Sequence, residues 1–252
     1  MMLGMNETPL RLLTLNIRHG GGTRSAAIVD AIIESDPDVI VLTEFRENAS
    51  GATIRAEIAE LGWLHQASSK PPVKTNGVLI AARVPLAVST EVLDVPGGRC
   101  RWLECKLGCV SLIGVYLPLS ARKLPYWAWL MDRAHERVGS HCMILGDFNT
   151  GKHFIDEAGA TFYGSEYMGQ LEQLRFTDAW RTLHPNEREF TWYSNRGNEF
   201  RLDYAWLSPS LRPALHSATQ LHHTRSNVVS DHAGLLIEMD MAVLKLNAPQ
   251  YR

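Results

Sequence analysis

The sequence predicts an α/β domain with its polar chemistry gathered where strands end. Short continuous apolar runs, such as residues 39–42, read as strands buried on both faces. Helical periodicity separates the early runs, whereas strand-like runs dominate the rest of the chain. Several runs end on an oxygen-bearing side chain, and ligand sites in open α/β sheets gather at strand ends. The 252 residues suffice for one large domain or two small ones. Hydrophobic residues make up 45%, and seven Trp supply bulky core material. A formal net charge of -2 leaves no global basic footprint, so contact with nucleic acid would have to use a local patch.

Taken in order, residues 10–16 (LRLLTLN) form an apolar run ending in a carboxamide. A loop with three successive glycines, Gly20 to Gly22, leads to a helix from residue 23 or 24 to residue 35, with Ile28, Ile32 and Ile33 on one face. Asp36-Pro37-Asp38 breaks it, and the run at 39–42 ends at Thr43-Glu44. A second helix is expected over 52–61. After Pro71-Pro72 come strands at 77–82, 86–92, 101–107 and 110–117, then a helix over 126–138. Met143-Ile144-Leu145-Gly146-Asp147-Phe148-Asn149 is the anchor: a buried strand, a glycine, then a carboxylate and a carboxamide two residues apart. Residues i and i+2 share a side, so Asp147 and Asn149 face one crevice and Phe148 packs the other way. A helix at 166–174 and strands at 190–193, 200–207, 214–221 and 233–239 complete the domain. Its expected extent is 10–243, with an N-terminal extension at 1–9 and a tail at 244–252 that is loose.

Asn16, Glu44, Asp147 and Asp203 thus stand in or at the ends of separate strand-like runs, and Ser230-Asp231-His232 precedes the last one. Such oxygen donors suit Mg²⁺ or Mn²⁺. Each motif alone has an ordinary explanation: an Asx turn after a strand, or a solvated His–Asp pair. The run Gly20-Gly21-Gly22-Thr23-Arg24-Ser25 nearly fits a dinucleotide-binding turn, with Glu44 ending the next strand. Its third glycine is Ser25, however, and that reading leaves Asp147, Asp203 and His232 without a role. No G-x-S-x-G nucleophile elbow is present.

The ordered set of LTLNIR, VIVLTEF, GVYLP, LGDFN, FRLDY and SDH resembles the endonuclease/exonuclease/phosphatase superfamily, and within it exodeoxyribonuclease III and the abasic-site endonucleases. The resemblance runs from about residue 10 to residue 239. It implies a four-layer α/β/β/α sandwich with two central mixed β-sheets. It also implies that Asn16, Glu44 and Asp231 hold or position a divalent metal. By the same resemblance Asp147 activates water, Asn149, Tyr116 and His232 contact the scissile phosphate, and Asp203 orients His232. Two positions depart from the relatives: Arg18 stands where a second acid is frequent, and Leu119 replaces a polar residue that helps grip phosphate. Arg122 keeps the spacing of a basic residue that reaches DNA in some relatives, although a solvated arginine at a helix start would read the same way.

Trp192, Phe200 and Leu202 match the apolar residues with which abasic-site nucleases line a sugar pocket; as residues they also read as ordinary core. The expected activity is metal-dependent phosphodiester hydrolysis, with duplex or abasic DNA as substrate and repair as its setting. The short loops, notably between residues 45 and 76, offer little to grip a long duplex. They keep open a phosphodiesterase or phosphatase of the same fold acting on small molecules or lipid head groups. Four cysteines without a C-x-x-C pair read as reduced thiols, and the chain has neither a signal-peptide pattern nor a membrane-length apolar run. A cytoplasmic enzyme with no obligate protein partner is expected.

Overall fold

The computed structural model describes residues 9–89 and 99–240. The end of the strand expected at 86–92, nearly all of the N-terminal extension and the whole tail lie outside the described residues. Strands β1 (Leu10–Asn16), β2 (Val39–Phe45), β3 (His65–Ser68) and β4 (Gly77–Ala82) join β13 (Leu215–Leu221) and β14 (Gly234–Met239) in one sheet, ordered β13-β14-β1-β2-β4-β3. A second sheet has the order β5-β6-β7-β8-β12-β9, built from β5 (Ala87–Val88), β6 (Trp102–Leu107), β7 (Val110–Tyr116), β8 (Cys142–Asp147), β9 (Thr177–Asp178) and β12 (Asp203–Leu207). Both sheets are mixed: β1 runs parallel to β2 and β7 parallel to β8, and the other pairings are antiparallel.

Alternation along the strands explains why the sheets stack. Leu12 and Val41 join Met143, Leu145 and Leu207 in a core between the two sheets. Their neighbours Leu13 and Leu42 point the other way, onto α1 (Ser25–Ser35) and α2 (Ala49–Glu60), where Ile28, Ile32, Ile54 and Ile58 cover them. On the far side, Ile113, Ile144 and Trp206 pack against Trp127 and Leu130 of α3 (Leu124–Arg137) and Met168 of α4 (Glu166–Gln173). The result is the four-layer sandwich. Strands buried on both faces need apolar side chains on both, which is why their sequences read as continuous apolar runs.

The expected elements differ from the observed ones mainly at their edges. The strand expected at 200–207 is two: Glu199–Phe200 (β11), in a hairpin with Trp192–Tyr193 (β10), and then β12. Arg201 and Leu202 break the run because Arg201 N–H donates to Asp156 O at 2.8 Å and Leu202 N–H to Thr191 Oγ1 at 2.9 Å, instead of to a ladder. The edge strands β3 and β9 and the short helix α5 (Ala179–Leu183) have too little apolar patterning to be read from the sequence. Cys100, Cys105 and Cys142 are buried thiols, and Cys109 is exposed.

Candidate active site

Three neighbouring strands end in register. Asp147 of β8 lies opposite Tyr116 of β7 on one side and Asp203 of β12 on the other. The other sheet brings its own strand ends to the same place. Asn16, the last residue of β1, pairs with Thr43, one residue before Glu44 in β2. Asn16 Nδ2 then donates across the sandwich to Asp147 Oδ2 at 2.9 Å, so the two sheets are joined at their polar ends.

Local backbone geometry serves this arrangement. Gly146 has φ 141°, and a Cβ there would lie 1.9 Å from Val115 O, so only glycine lets β8 approach β7 this closely before Asp147. Asn149 (φ 48°) and Glu44 (φ 56°) adopt left-handed backbone that is rare outside glycine. Strain of this kind persists where surrounding bonds over-determine it. Asn149 N–H donates to Asp147 Oδ1 at 2.8 Å, and its carboxamide to Leu117 O at 2.9 Å. A bulge between Thr43 and Phe45 releases Glu44 from the ladder. The freed carboxylate accepts from His19 N–H at 2.7 Å, from Asn76 Nδ2 at 2.9 Å, and weakly from Tyr116 Oη and Asn16 Nδ2, each at 3.3 Å.

Charges in this low-dielectric floor act strongly on one another. His232 Nδ1 lies 2.8 Å from Asp203 Oδ2, and both residues are buried. Burial opposes the imidazolium, but Asp203 outweighs it and lifts the His232 pKa to about 10. Burial, and secondarily Asp203, raises the pKa of Asp147 well above the usual carboxylate range. Burial, with help from Glu44 and Asp147, pushes the Tyr116 phenol up to about 12. Asp203 Oδ1 is buried without a hydrogen-bond partner.

A cavity of about 450 Å³ opens above this floor. Glu44, Tyr116, Asp147, Asn149, Asp231 and His232 line it, as do the apolar candidates Trp192, Phe200 and Leu202. Asn16 is fully buried behind Asp147. Arg122 stands apart: it lines an adjoining cavity with Arg101, Pro125 and Tyr126, and the two cavities share Tyr116 and Leu119. Arg18 reaches Asp231, with Nε 3.7 Å from Oδ2.

Sequence reasoning missed several contributors. Lys123 is buried, its ammonium donates to Asn149 O, and burial lowers its pKa to about 8. Asn76 ties Glu44 to Tyr116 and His19. Phe162 and Tyr163 line the cavity from the loop after β8. None of these follows a strand-end motif; the one available signal was the polar Asn76 just before the apolar run of β4.

The donor set fits a hard divalent cation. Glu44, Asp147 and Asp231 present carboxylate oxygens to one cavity, and among the described residues no thiol lines it. Among the described residues, Asp147, Asp203 and His232 bring three ligand atoms within 4.8 Å of one another. That cluster differs from the expected Asn16, Glu44 and Asp231. The hydrogen bond between Asp203 and His232 already occupies one atom of each.

Comparison with known proteins gives a family and a fold. The family model described as Endonuclease/Exonuclease/phosphatase family matches residues 13–232. Three solved structures are similar over nearly their whole length. A Neisseria 3' phosphatase, NExo, bound to product DNA hairpin is 22% identical, covering 92% of this chain and 99% of that one, with TM-score 0.79. An AP endonuclease from Archaeoglobus fulgidus is 23% identical, with the same coverage and TM-score 0.79. The 3'-5' exonuclease NExo from Neisseria meningitidis is 23% identical over 91% of this chain and 99% of that one, with TM-score 0.80.

Proposed function

This chain belongs to the endonuclease/exonuclease/phosphatase family, and from that premise we propose that it is a divalent-metal-dependent phosphodiesterase acting on DNA, with abasic duplex as its preferred substrate. One observation carries the reading. His232, backed by buried Asp203, and the Asp147 carboxylate line a single cavity with the apolar side chains Trp192, Phe200 and Leu202. Hydrolysis of a phosphodiester needs the former, and a sugar without a base suits the latter.

In this mechanism Asp147 accepts the proton of the attacking water. Burial has already raised its pKa toward the operating range of a general base. Asn16 and Asn149 both donate to its carboxylate and fix its direction. The His232 imidazolium, held by Asp203, presents its other ring nitrogen to an oxygen of the phosphate and neutralises charge developing there. Tyr116 stays protonated and offers a further donor. Glu44 and Asp231 would hold Mg²⁺ or Mn²⁺, with the Asn16 carboxamide positioning Glu44 from behind. When bound, the cation polarises the phosphoryl oxygens and stabilises the leaving group.

The similar structures, a 3' phosphatase bound to a DNA hairpin, a 3'-5' exonuclease and an AP endonuclease, support a DNA substrate. Arg122 and Arg101, beside the cavity, would contact the backbone of the strand. A substrate panel with Mg²⁺ or Mn²⁺ tests the proposal: abasic duplex, blunt duplex, single strands, RNA and phosphoinositides. The abasic duplex should give the highest kcat/KM. Better turnover of a lipid head group or a small diester would replace DNA with that substrate class.

A further inference from the structure

One wall of the catalytic cavity comes from residues 151–165, which connect the anchor strand to α4. From this loop Phe162 lines the cavity together with Phe200 and Trp192. The rings form a continuous row. Phe162 stacks near His153 with centroids 6.3 Å apart and meets Phe200 edge-on at 5.7 Å and 70°. Phe200 lies 5.7 Å from Trp192, and Trp192 lies 6.4 Å from the His232 ring.

The backbone that carries the Phe162 ring is held in place. Glu157 accepts from Thr161 N–H at 2.7 Å and from Phe162 N–H at 3.3 Å, while His153 Nε2 pairs with Phe162 O at 3.0 Å. The loop is fastened below by Asp156, which accepts from Lys152 N–H at 2.9 Å and from buried Arg201 Nε at 2.8 Å. A β-bridge between Glu157 and Phe200 places both phenylalanines on one scaffold. At Gly151 a Cβ would come within 2.9 Å of Phe162 Cε2 and 2.7 Å of Tyr204 Oη, so the loop folds straight back over the strand end.

We infer that Phe162 is a specificity-determining residue that sets, with Phe200, the size of the group admitted beside the scissile phosphate. The inference rests on the proposed DNA-cleaving function and adds a residue outside every motif in the sequence. A bulky ring on a fastened backbone excludes a larger group by overlap, whereas a smaller side chain there would leave room for it. A sugar without a base needs the least room and is the cheapest to extrude. An intact nucleotide needs the space that the Phe162 ring fills.

The test is steady-state kinetics of wild type, Phe162→Ala and Phe162→Leu on matched duplexes with and without one abasic site. Phe162→Ala should lower the abasic-to-intact ratio of kcat/KM by about ten-fold, the scale on which removing apolar bulk relaxes a pocket. Most of the change should come from a gain in kcat/KM on the intact duplex. Phe162→Leu should fall between the two, and it decides the matter by the same ratio if Phe162→Ala does not fold. A variant that keeps the wild-type ratio, or loses activity equally on both duplexes, overturns the role of Phe162 alone. A wild-type enzyme that cleaves neither duplex overturns the DNA reading and this inference with it.

Discussion

The floor of the cavity is made from strand ends, and its aromatic wall from loops. On the floor, Tyr116, Asp147 and Asp203 stand in register on three adjacent strands, so the pleat sets their spacing. In the wall, Phe162, Trp192 and Phe200 come from an irregular loop and a hairpin of two-residue strands, and their spacing depends on side-chain clamps. Chief among the clamps is Arg201, which donates to Asp156 at 2.8 Å and to Asp178 at 2.7 Å. The contrast separates two tasks. Under the proposed function, chemistry would sit where the scaffold is least able to move, and choice of substrate where sequence can vary without disturbing the sheet.

If the floor carries the chemistry, its removal should have the largest effects. Exhaustive chelation should abolish hydrolysis, and Mg²⁺ or Mn²⁺ should restore it, because the donors are hard oxygens; a zinc-only rescue in the same assay would break the assignment. Asp147→Asn and His232→Ala should each lower kcat by at least ~100-fold, the scale of lost general-base and charge-stabilising groups. Asp203→Asn should be milder, since Asp203 acts through His232. A pH profile sharpens this: burial lowers the His232 pKa but Asp203 more than offsets it, to about 10, so wild type should lose His232-dependent activity only as pH rises through that region. In Asp203→Asn the loss should begin at lower pH, and an unshifted alkaline limb would separate Asp203 from His232.

The wall should answer differently. Arg201→Ala leaves two buried carboxylates, Asp156 and Asp178, without their shared cation. It should cost about 3–5 kcal/mol of stability, the range for breaking one side of a buried pair, and a thermal melt reads it directly. Phe200→Ala should leave the fold intact and change only preference, raising cleavage of intact duplex relative to abasic duplex. A melt unchanged by Arg201→Ala would show that the wall does not depend on that clamp.

The same division governs how much could be read from the residues alone. The strands were legible because doubly buried strands require uninterrupted apolar runs, whereas their stacking into a sandwich was implied only by the family resemblance; the floor was legible because several runs end on a polar residue. Glu44, Asp147 and Asn149 were visible for that reason, although the bulge and left-handed backbone that aim them were not. Lys123, Asn76 and Phe162 were hidden because loop geometry, rather than strand periodicity, carries them to the cavity. Arg201 looked like one more residue of a single strand. Its burial among two carboxylates depends on Asp156 and Asp178, which are 45 and 23 residues away in the chain.

The separation of chemistry from choice is tested most directly by measuring kcat/KM for Asp147→Asn and Phe200→Ala on the same pair of duplexes, one with a single abasic site and one without. Asp147→Asn should reduce cleavage of both by at least ~100-fold and leave their ratio at the wild-type value. Phe200→Ala should keep most of the activity and move the ratio toward one. Near-wild-type turnover by Asp147→Asn, or a ratio that shifts with Asp147 and not with Phe200, would contradict it.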